Sequence, residues 1–221
     1  MQFTPAQQQV LLDAARAGIL DGLRGTTHYS IGPDIDPALR AAAGCFVSLH
    51  DRATHRLRGC VGRLQSPDPL IQGVYETARS VLVDPRFRNN PVTLGELPAL
   101  ELEVSVLTPL VPAKDPLDFE PLEEGIYLMC EGRAGTFLPQ VARETGWSRE
   151  QLLSRLCTEK MGLAPDAWRG PGARLLKYRA IVIGPAPVVE EPPRTGGNAA
   201  PPPPGGLGFG GSVFGGSVFG V

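Results

Sequence analysis

The chain has 221 residues, of which 42% are hydrophobic, with a net charge of -2 and a pI of about 5.9. This length and composition allow one or two small units with a buried core. The acidic balance argues against a nucleic-acid binder, because such proteins carry a concentrated basic surface. No run approaches the ~20 apolar residues that span a bilayer, and the first residues lack a signal-peptide pattern. We expect a cytoplasmic protein that binds neither membrane nor nucleic acid.

In chain order, a capping-box pattern at residues 4–7 predicts a helix that ends near Gly22 or Gly25. Strands are predicted at residues 45–50 and 57–63, joined by a polar turn. The later predicted elements are a helix from Ser66 to Asp84, strands at 100–106, 126–131 and 134–138, helices from Pro139 to Glu144 and from Ser148 to Met161, and a strand at 175–183. Because these elements lack regular βαβ units, we predict an α+β fold with an antiparallel sheet flanked by helices.

The composition changes after Gly184, so we divide the chain into a folded domain at 1–184, a Pro-rich linker at 185–204 and a repeat tail at 205–221. The tail repeats Gly-Gly-Ser-Val-Phe twice, ending at Phe214 and Phe219. Its glycine content cannot offset the entropy cost of folding, which predicts a disordered C-terminal tail.

The cysteines and histidines show no metal-ligand spacing. Four cysteines are far apart without a CxxC pair, which predicts free thiols in a reducing compartment. No glycine-rich phosphate loop is present. We expect neither a bound metal nor a cofactor.

Five segments, met in order, resemble the AMMECR1 family. They are LRGCVG at 57–62, DPRF at 84–87, LEVSVL at 102–107, FLPQV at 137–141, and the stretch from Trp147 to Trp168. The resemblance covers roughly residues 5 to 184. It implies an AMMECR1-like arrangement of a larger and a smaller lobe, with the LRGCVG hexapeptide near the groove between them.

The resemblance also implies partners. The chain is similar to protein A of the AmmeMemoRadiSam system, whose members are associated with a Memo-like protein and a radical SAM protein. The family supplies no securely assigned reaction.

Cys60 is the main candidate, since Gly59 and Gly62 would let a ligand or a backbone approach closely. Arg58, two residues earlier on a strand, should project to the same face and lower the thiol pKa. Cys60 would then be a nucleophile, or a thiol that contacts a substrate. The alternative is a tightly packed structural strand, in which Arg58 pairs with Glu103 or Asp84.

Other candidates accompany the thiol. Glu103 could act as acid or base, or orient an arginine. Asp84 and Arg86 flank Pro85 and could line the groove or cap the preceding helix. Gln140 stands at a helix start and could reach the same groove. His50 and His55 suggest a Cys-His pair, although His55 fits an exposed turn better.

Three functions follow as hypotheses. The first is an accessory or carrier component of a peptide-modifying pathway, whose own tail serves as a peptide substrate in cis, modified at or near Phe214 and Phe219. The second is a thiol-dependent enzyme using Cys60, Arg58 and Glu103, and the third is a nucleic-acid-binding regulator. A low Cys60 pKa with groove exposure would favour the enzyme, and a buried thiol would favour the binding scaffold.

Overall fold

The structure is a computed structural model, and it describes residues 2–189. Its helices are α1 (Pro5–Arg24), α2 (Pro37–Arg40), α3 (Leu70–Ser80), α4 (Pro139–Thr145) and α5 (Arg149–Arg155). Its strands are β1 (Cys45–Asp51), β2 (Leu57–Arg63), β3 (Leu100–Leu107), β4 (Val111–Pro112), β5 (Glu124–Cys130), β6 (Arg133–Phe137) and β7 (Arg174–Pro187). Short 3-10 turns and one π-helical turn at Leu156–Lys160 complete the described part.

All strand pairings are antiparallel, and the strands form one sheet in the order β2-β1-β3-β7-β5-β6, with β4 also paired to β7. The 14-residue strand β7 is shared, since its second half pairs with β3 and its first half pairs with β5 and β4. The predicted α+β class with an antiparallel sheet is confirmed.

Two hydrophobic cores lie along this sheet. In the larger one, α1 and α3 pack against β1 and β3, around fully buried side chains such as Leu11, Val47 and Val104. The smaller core is built from β5, β6, α4 and α5, and includes Leu128 and Leu153. These two cores correspond to the larger and smaller lobes that the resemblance implies.

Helix α1 follows its predicted signals. Thr4 and Gln7 form the capping box, and Gly25 ends the helix in the left-handed region at φ 68°. Helix α3 begins at Leu70 and not at Ser66, so that predicted start is wrong. The reason is local, because Pro69 disfavours helical backbone at Asp68, and the Ser66 hydroxyl instead accepts a hydrogen bond from the Asp68 N–H.

Several strand ends also differ from the prediction, most clearly those of β5 and β7. β5 stops at Cys130 because Glu131 and Gly132 adopt positive φ angles of 50° and 71° in the turn. β7 continues to Pro187, so residues 185–187 of the predicted linker belong to the sheet. The rest of the linker beyond residue 189 and the repeat tail at 205–221 lie outside the described residues. Between residues 2 and 189, no helix is long and apolar enough to cross a membrane.

Candidate functional site

Three polar side chains form a row on the sheet face that points away from α1 and α3. The β1–β2 register places Ser48 opposite Cys60, and the β1–β3 register places Ser48 opposite Glu103. Side chains alternate along a strand, so the neighbouring residues Val47 and Val104 point into the larger core. We call Cys60, Ser48 and Glu103 the polar row.

The smaller lobe flanks this row. Gln140, near the start of α4, donates through Nε2 to Ser105 Oγ at 3.0 Å and to Glu103 Oε1 at 3.5 Å. The Lys160 ammonium, on the π-helical turn, lies close enough to lower the pKa of the Cys60 thiol. The hexapeptide therefore lies where elements of the two lobes meet.

The glycines of the hexapeptide serve internal packing. A Cβ at Gly62 would lie 2.3 Å from Phe46 Cγ, and a Cβ at Gly59 would lie 2.9 Å from Val81 Cγ2. The expected close approach is present at both positions. The neighbours that approach are a side chain of β1 and the turn after α3, so the two glycines fit the strand into the fold.

Asp84 and Arg86 hold the peptide groups of Cys60. Strand β2 lies at the sheet edge, where its outer N–H and C=O groups lack a neighbouring strand. Asp84 Oδ2 accepts from the Cys60 N–H at 2.9 Å, and Arg86 Nη2 donates to the Cys60 carbonyl at 2.9 Å. We call this pair of side chains the edge clamp.

The clamp is itself a strong ion pair. Arg86 donates to Asp84 from its backbone N–H, from Nε at 3.0 Å and from Nη2 at 2.6 Å. Burial acts to raise the pKa of the Asp84 carboxyl, but the hydrogen bonds from Arg86 and Cys60 outweigh burial and lower that pKa to about 2. Asp84 also caps the 3-10 turn Pro85–Phe87, which follows α3.

Arg58 is engaged elsewhere. Its guanidinium donates to Glu96 Oε1 at 2.8 Å and to the Asn90 carbonyl at 3.3 Å, and it lies 5.7 Å from the Phe87 ring centroid. The predicted pairing of Arg58 with Glu103 or Asp84 is wrong, whereas the tightly packed strand of the same alternative is present. The 3-10 segment Leu94–Ala99 presents Glu96, through its own capping box, to this arginine.

The Cys60 thiol is partly buried, and burial raises its pKa. The neighbouring Ser48 hydroxyl and the charges of Arg86 and Lys160 act to lower this pKa, but burial outweighs them. The thiol is therefore protonated at neutral pH. The expectation that Arg58 lowers this pKa is wrong, because that cation is held by Glu96.

The Glu103 carboxyl also has a pKa above its ordinary value. Burial raises the pKa of its carboxyl, while the Gln140 amide and the charge of His50 oppose the rise. The Gln140 Oε1 atom is buried and has no hydrogen-bond partner among residues 2–189. A ligand donor or a water could satisfy this acceptor.

The histidines do not join the thiol. His55 adopts φ 55° in the turn and its Nδ1 lies 3.2 Å from Glu101 Oε1, with the side chain 76% exposed. His50 is paired in register with Leu57 and Glu101, one row away from Cys60. No group of three or more His, Cys, Asp or Glu in the described part of the chain could hold a metal ion.

Sequence reasoning missed Ser48, Ser105 and Lys160. Ser48 lies two residues before His50 on β1, and Ser105 lies two residues after Glu103 on β3, so each serine points to the same face as that candidate. A correct strand register would have identified both serines. No sequence pattern pointed to Lys160, because its position depends on the π-helical turn Leu156–Lys160. Phe214 and Phe219 lie outside the described residues.

The fold defines an α+β domain with two cores and a cysteine-bearing edge strand. The sequence profile of the AMMECR1 family matches residues 12–183, and the chain belongs to this family. It is 35% identical to a protein from Methanothermobacter thermautotrophicus over 81% of this chain and 96% of that protein. It is 38% identical to protein MJ0810 from Methanocaldococcus jannaschii, over 62% and 70% of the two chains.

A solved structure has a similar fold. The crystal structure of protein PH0010 from Pyrococcus horikoshii superposes with a TM-score of 0.70 at 32% identity. The match covers 78% of this chain and 88% of that chain.

Proposed function

We propose that this protein is an accessory or carrier component of a peptide- or protein-modifying pathway, with a Memo-like protein and a radical SAM protein as partners. The pathway and the partners come from the family resemblance. The physical support for an accessory role comes from the state of Cys60.

The relevant feature is that the Cys60 thiol is protonated at neutral pH. A thiolate is the reactive form of cysteine, and burial raises the pKa of Cys60. In addition, both peptide groups of Cys60 are held by the edge clamp. A residue held in its protonated form on a clamped strand suits the contact surface of a binding protein better than a pre-activated nucleophile.

The polar row offers groups for a polar ligand. The unpartnered Gln140 Oε1 can accept a hydrogen bond. The Lys160 ammonium lies 5.9 Å from the Phe137 ring centroid and makes no ion pair within residues 2–189. The amide groups of a peptide supply the N–H donors that such an acceptor requires. This fits a substrate that carries peptide bonds.

The chain's own repeat tail is the peptide substrate that we propose in the first instance, with Phe214 and Phe219 or their neighbours as the modified positions. A tethered segment has a high effective concentration near its own domain. The tail lies outside the described residues, so its support is the repeated sequence alone.

The test is co-expression of the full chain with the Memo-like and radical SAM proteins, followed by intact-protein mass spectrometry and peptide mapping. We expect a mass change confined to residues 205–221. Cys60→Ala should reduce the change, and Cys60→Ser, which keeps a polar group, should reduce it less. An unchanged mass together with no co-purification of either partner would refute the proposal.

A thiol-dependent enzyme is the second candidate, and one observation favours it. Glu103, whose carboxyl pKa is raised by burial, shares the polar row with Cys60. A carboxyl group with a raised pKa is suited to exchange protons near neutral pH. In this version Arg58 supports the neighbouring loop through Glu96, and Arg86 is the arginine that bonds to the Cys60 backbone.

A further inference from the structure

The smaller lobe carries an open pocket between α5 and the 3-10 turn Ala167–Arg169. Its volume is about 500 Å³, within the range of about 300–1,000 Å³ that is usual for small-molecule sites. Of the described residues that line it, Pro165 alone is apolar, and none belongs to the polar row or the edge clamp. The pocket is therefore a separate and polar site.

Two arginines line this pocket, and each lies over a tryptophan ring. Arg169 Cζ is 4.0 Å from the ring centroid of Trp168, and Arg155 Cζ is 5.2 Å from the ring centroid of Trp147. The Trp168 ring is buried and is tied to α5, because its Nε1 donates to Ser154 Oγ at 3.2 Å. A guanidinium that already rests on a fixed ring loses less conformational entropy when it binds a ligand.

The pocket has more free donors than acceptors. The Arg169 guanidinium donates no hydrogen bond within residues 2–189, and its ion pair with Glu150 Oε1 is 3.4 Å long. Gln151 Nε2 has no acceptor in that range either, and the Ser154 hydroxyl, which accepts from Trp168, keeps its own proton to donate. Two arginines and one glutamate give the lining one net positive charge. These groups suit a ligand that supplies acceptor oxygens and negative charge.

We propose that this pocket binds the oxyanion group, a carboxylate or a phosphate, of a small molecule. Arg155 on α5 and Arg169 on the 3-10 turn contact the anion from the two elements that form the pocket. A planar guanidinium can donate two parallel hydrogen bonds to the oxygens of such a group. Ser154 and Gln151 supply the remaining donors.

Two glutamates compete with the ligand for these arginines. Glu150 pairs with Arg169, and Glu159 pairs with Arg155 at 3.0 Å. All four side chains are more than 40% exposed, and exposed ion pairs contribute little to stability. An anion in the pocket can therefore replace either glutamate. Removal of a glutamate should strengthen binding, which a purely structural role of these ion pairs would not produce.

The pocket goes beyond the accessory role proposed above, because it shares no residue with the site around Cys60. Its test uses the purified full chain without either partner protein. Failure to bind an anion therefore leaves the co-expression result unaffected, and absence of a modified tail leaves the pocket unaffected.

The experiment is an NMR titration of the full chain, read from the indole N–H signals of its two tryptophans, Trp147 and Trp168. The probes are inorganic phosphate and the dicarboxylate malonate. Each is compared with sodium chloride at equal ionic strength, because salt alone screens exposed charges. The two probes distinguish a phosphate site from a carboxylate site.

The variants are Arg169→Gln, Glu150→Gln and Glu159→Gln. Arg179→Gln is the matched control, since Arg179 forms a similarly exposed ion pair with Glu123 outside the pocket. It removes the same charge from the protein as Arg169→Gln does. Dispersed signals from both tryptophans show that a variant is folded.

For the wild type we expect a saturable shift of the Trp168 signal with phosphate, malonate or both. Arg169→Gln should weaken binding about tenfold or more, because it removes hydrogen bonds to a charged group. Each glutamate variant should strengthen binding at least about twofold, and Arg179→Gln should leave it unchanged.

The proposal is refuted if neither anion gives a saturable shift, or if chloride shifts the signal as far as both anions do. Equal weakening by Arg169→Gln and Arg179→Gln would also overturn it, and so would glutamate variants that bind no more tightly than the wild type. Should Arg169→Gln not fold, the two glutamate variants decide the question.

Discussion

The edge clamp makes a quantitative prediction for Asp84→Asn. Asp84 is 3% exposed, and its carboxylate accepts hydrogen bonds from Cys60 and Arg86. Folding lowers its pKa from 3.8 to about 2. At about 1.4 kcal/mol per unit of pKa, the charged form contributes roughly 2 kcal/mol to the free energy of unfolding.

The sign of the pH dependence follows from the lowered pKa. The contribution is fully present above the unfolded value of 3.8 and is lost as pH falls through about 2. An asparagine at this position keeps one oxygen acceptor, but it places an amide NH₂ group, which is a donor, where a carboxylate oxygen accepts a hydrogen bond from Cys60 or Arg86. We therefore expect Asp84→Asn to destabilise the protein by about 2 kcal/mol at pH 7, and by progressively less below pH 4.

Urea denaturation from pH 3 to pH 7, followed by circular dichroism, measures this difference. Asp13→Asn is the matched control, because Asp13 is exposed on α1 and pairs there with Arg16; it should change stability by less than about 0.5 kcal/mol. Equal stability of wild type and Asp84→Asn at pH 7 would refute the reasoning. So would a difference that does not shrink between pH 4 and pH 3.

Three further predictions concern the hexapeptide. Gly62→Ala should lower the thermal unfolding midpoint and reduce the free energy of unfolding by about 1–3 kcal/mol, because the added Cβ would lie 2.3 Å from Phe46 Cγ. Unchanged stability in calorimetry would contradict this packing. Arg58→Ala and Glu96→Gln should be coupled by about 1 kcal/mol in a double-mutant cycle measured by urea unfolding. Arg58→Ala should leave the pH profile of Cys60 alkylation unchanged, and a shifted profile would assign Arg58 to the thiol after all.

Local sequence signals predicted the helices and strands well where interactions between nearby residues determine the structure. The capping box at Thr4 and the left-handed Gly25 fix the ends of α1 without help from the rest of the fold. The strand at 57–63 also agrees with β2, because its alternation and its glycines reflect contacts on both faces. The start of α3 was missed because Pro69 outweighed the apparent start at Ser66.

Some members of the candidate site were predicted, but its pairings were not. Cys60, Asp84, Arg86, Glu103 and Gln140 do come together. The direction of the Cys60 pKa shift depends on burial in the folded protein, which a short sequence motif does not reveal. The partner of an arginine likewise depends on which loop folds over it.

The position of Ser48 between Cys60 and Glu103 depends on strand register, which local sequence does not determine. That register is set by the turn between β1 and β2 together with a register shift between Leu49 and His50. In the turn, His55 adopts a positive φ and the Asp51 side chain accepts hydrogen bonds from the N–H groups of Ala53 and Thr54. A shift of one residue would have turned Ser48 into the larger core and Val47 toward the thiol. The polar row is therefore a property of the folded sheet.

The most direct test of the accessory role is the midpoint of Cys60 ionisation in the purified full chain. The rise of Cys60 alkylation with pH, followed on the Cys60 peptide, reports this midpoint. A principal rise at a pH above the ordinary ionisation range of a cysteine thiol is the predicted result, because burial raises the pKa of this group. A Cys60 that is already mostly thiolate at pH 7 would contradict the account and favour a thiol-dependent enzyme.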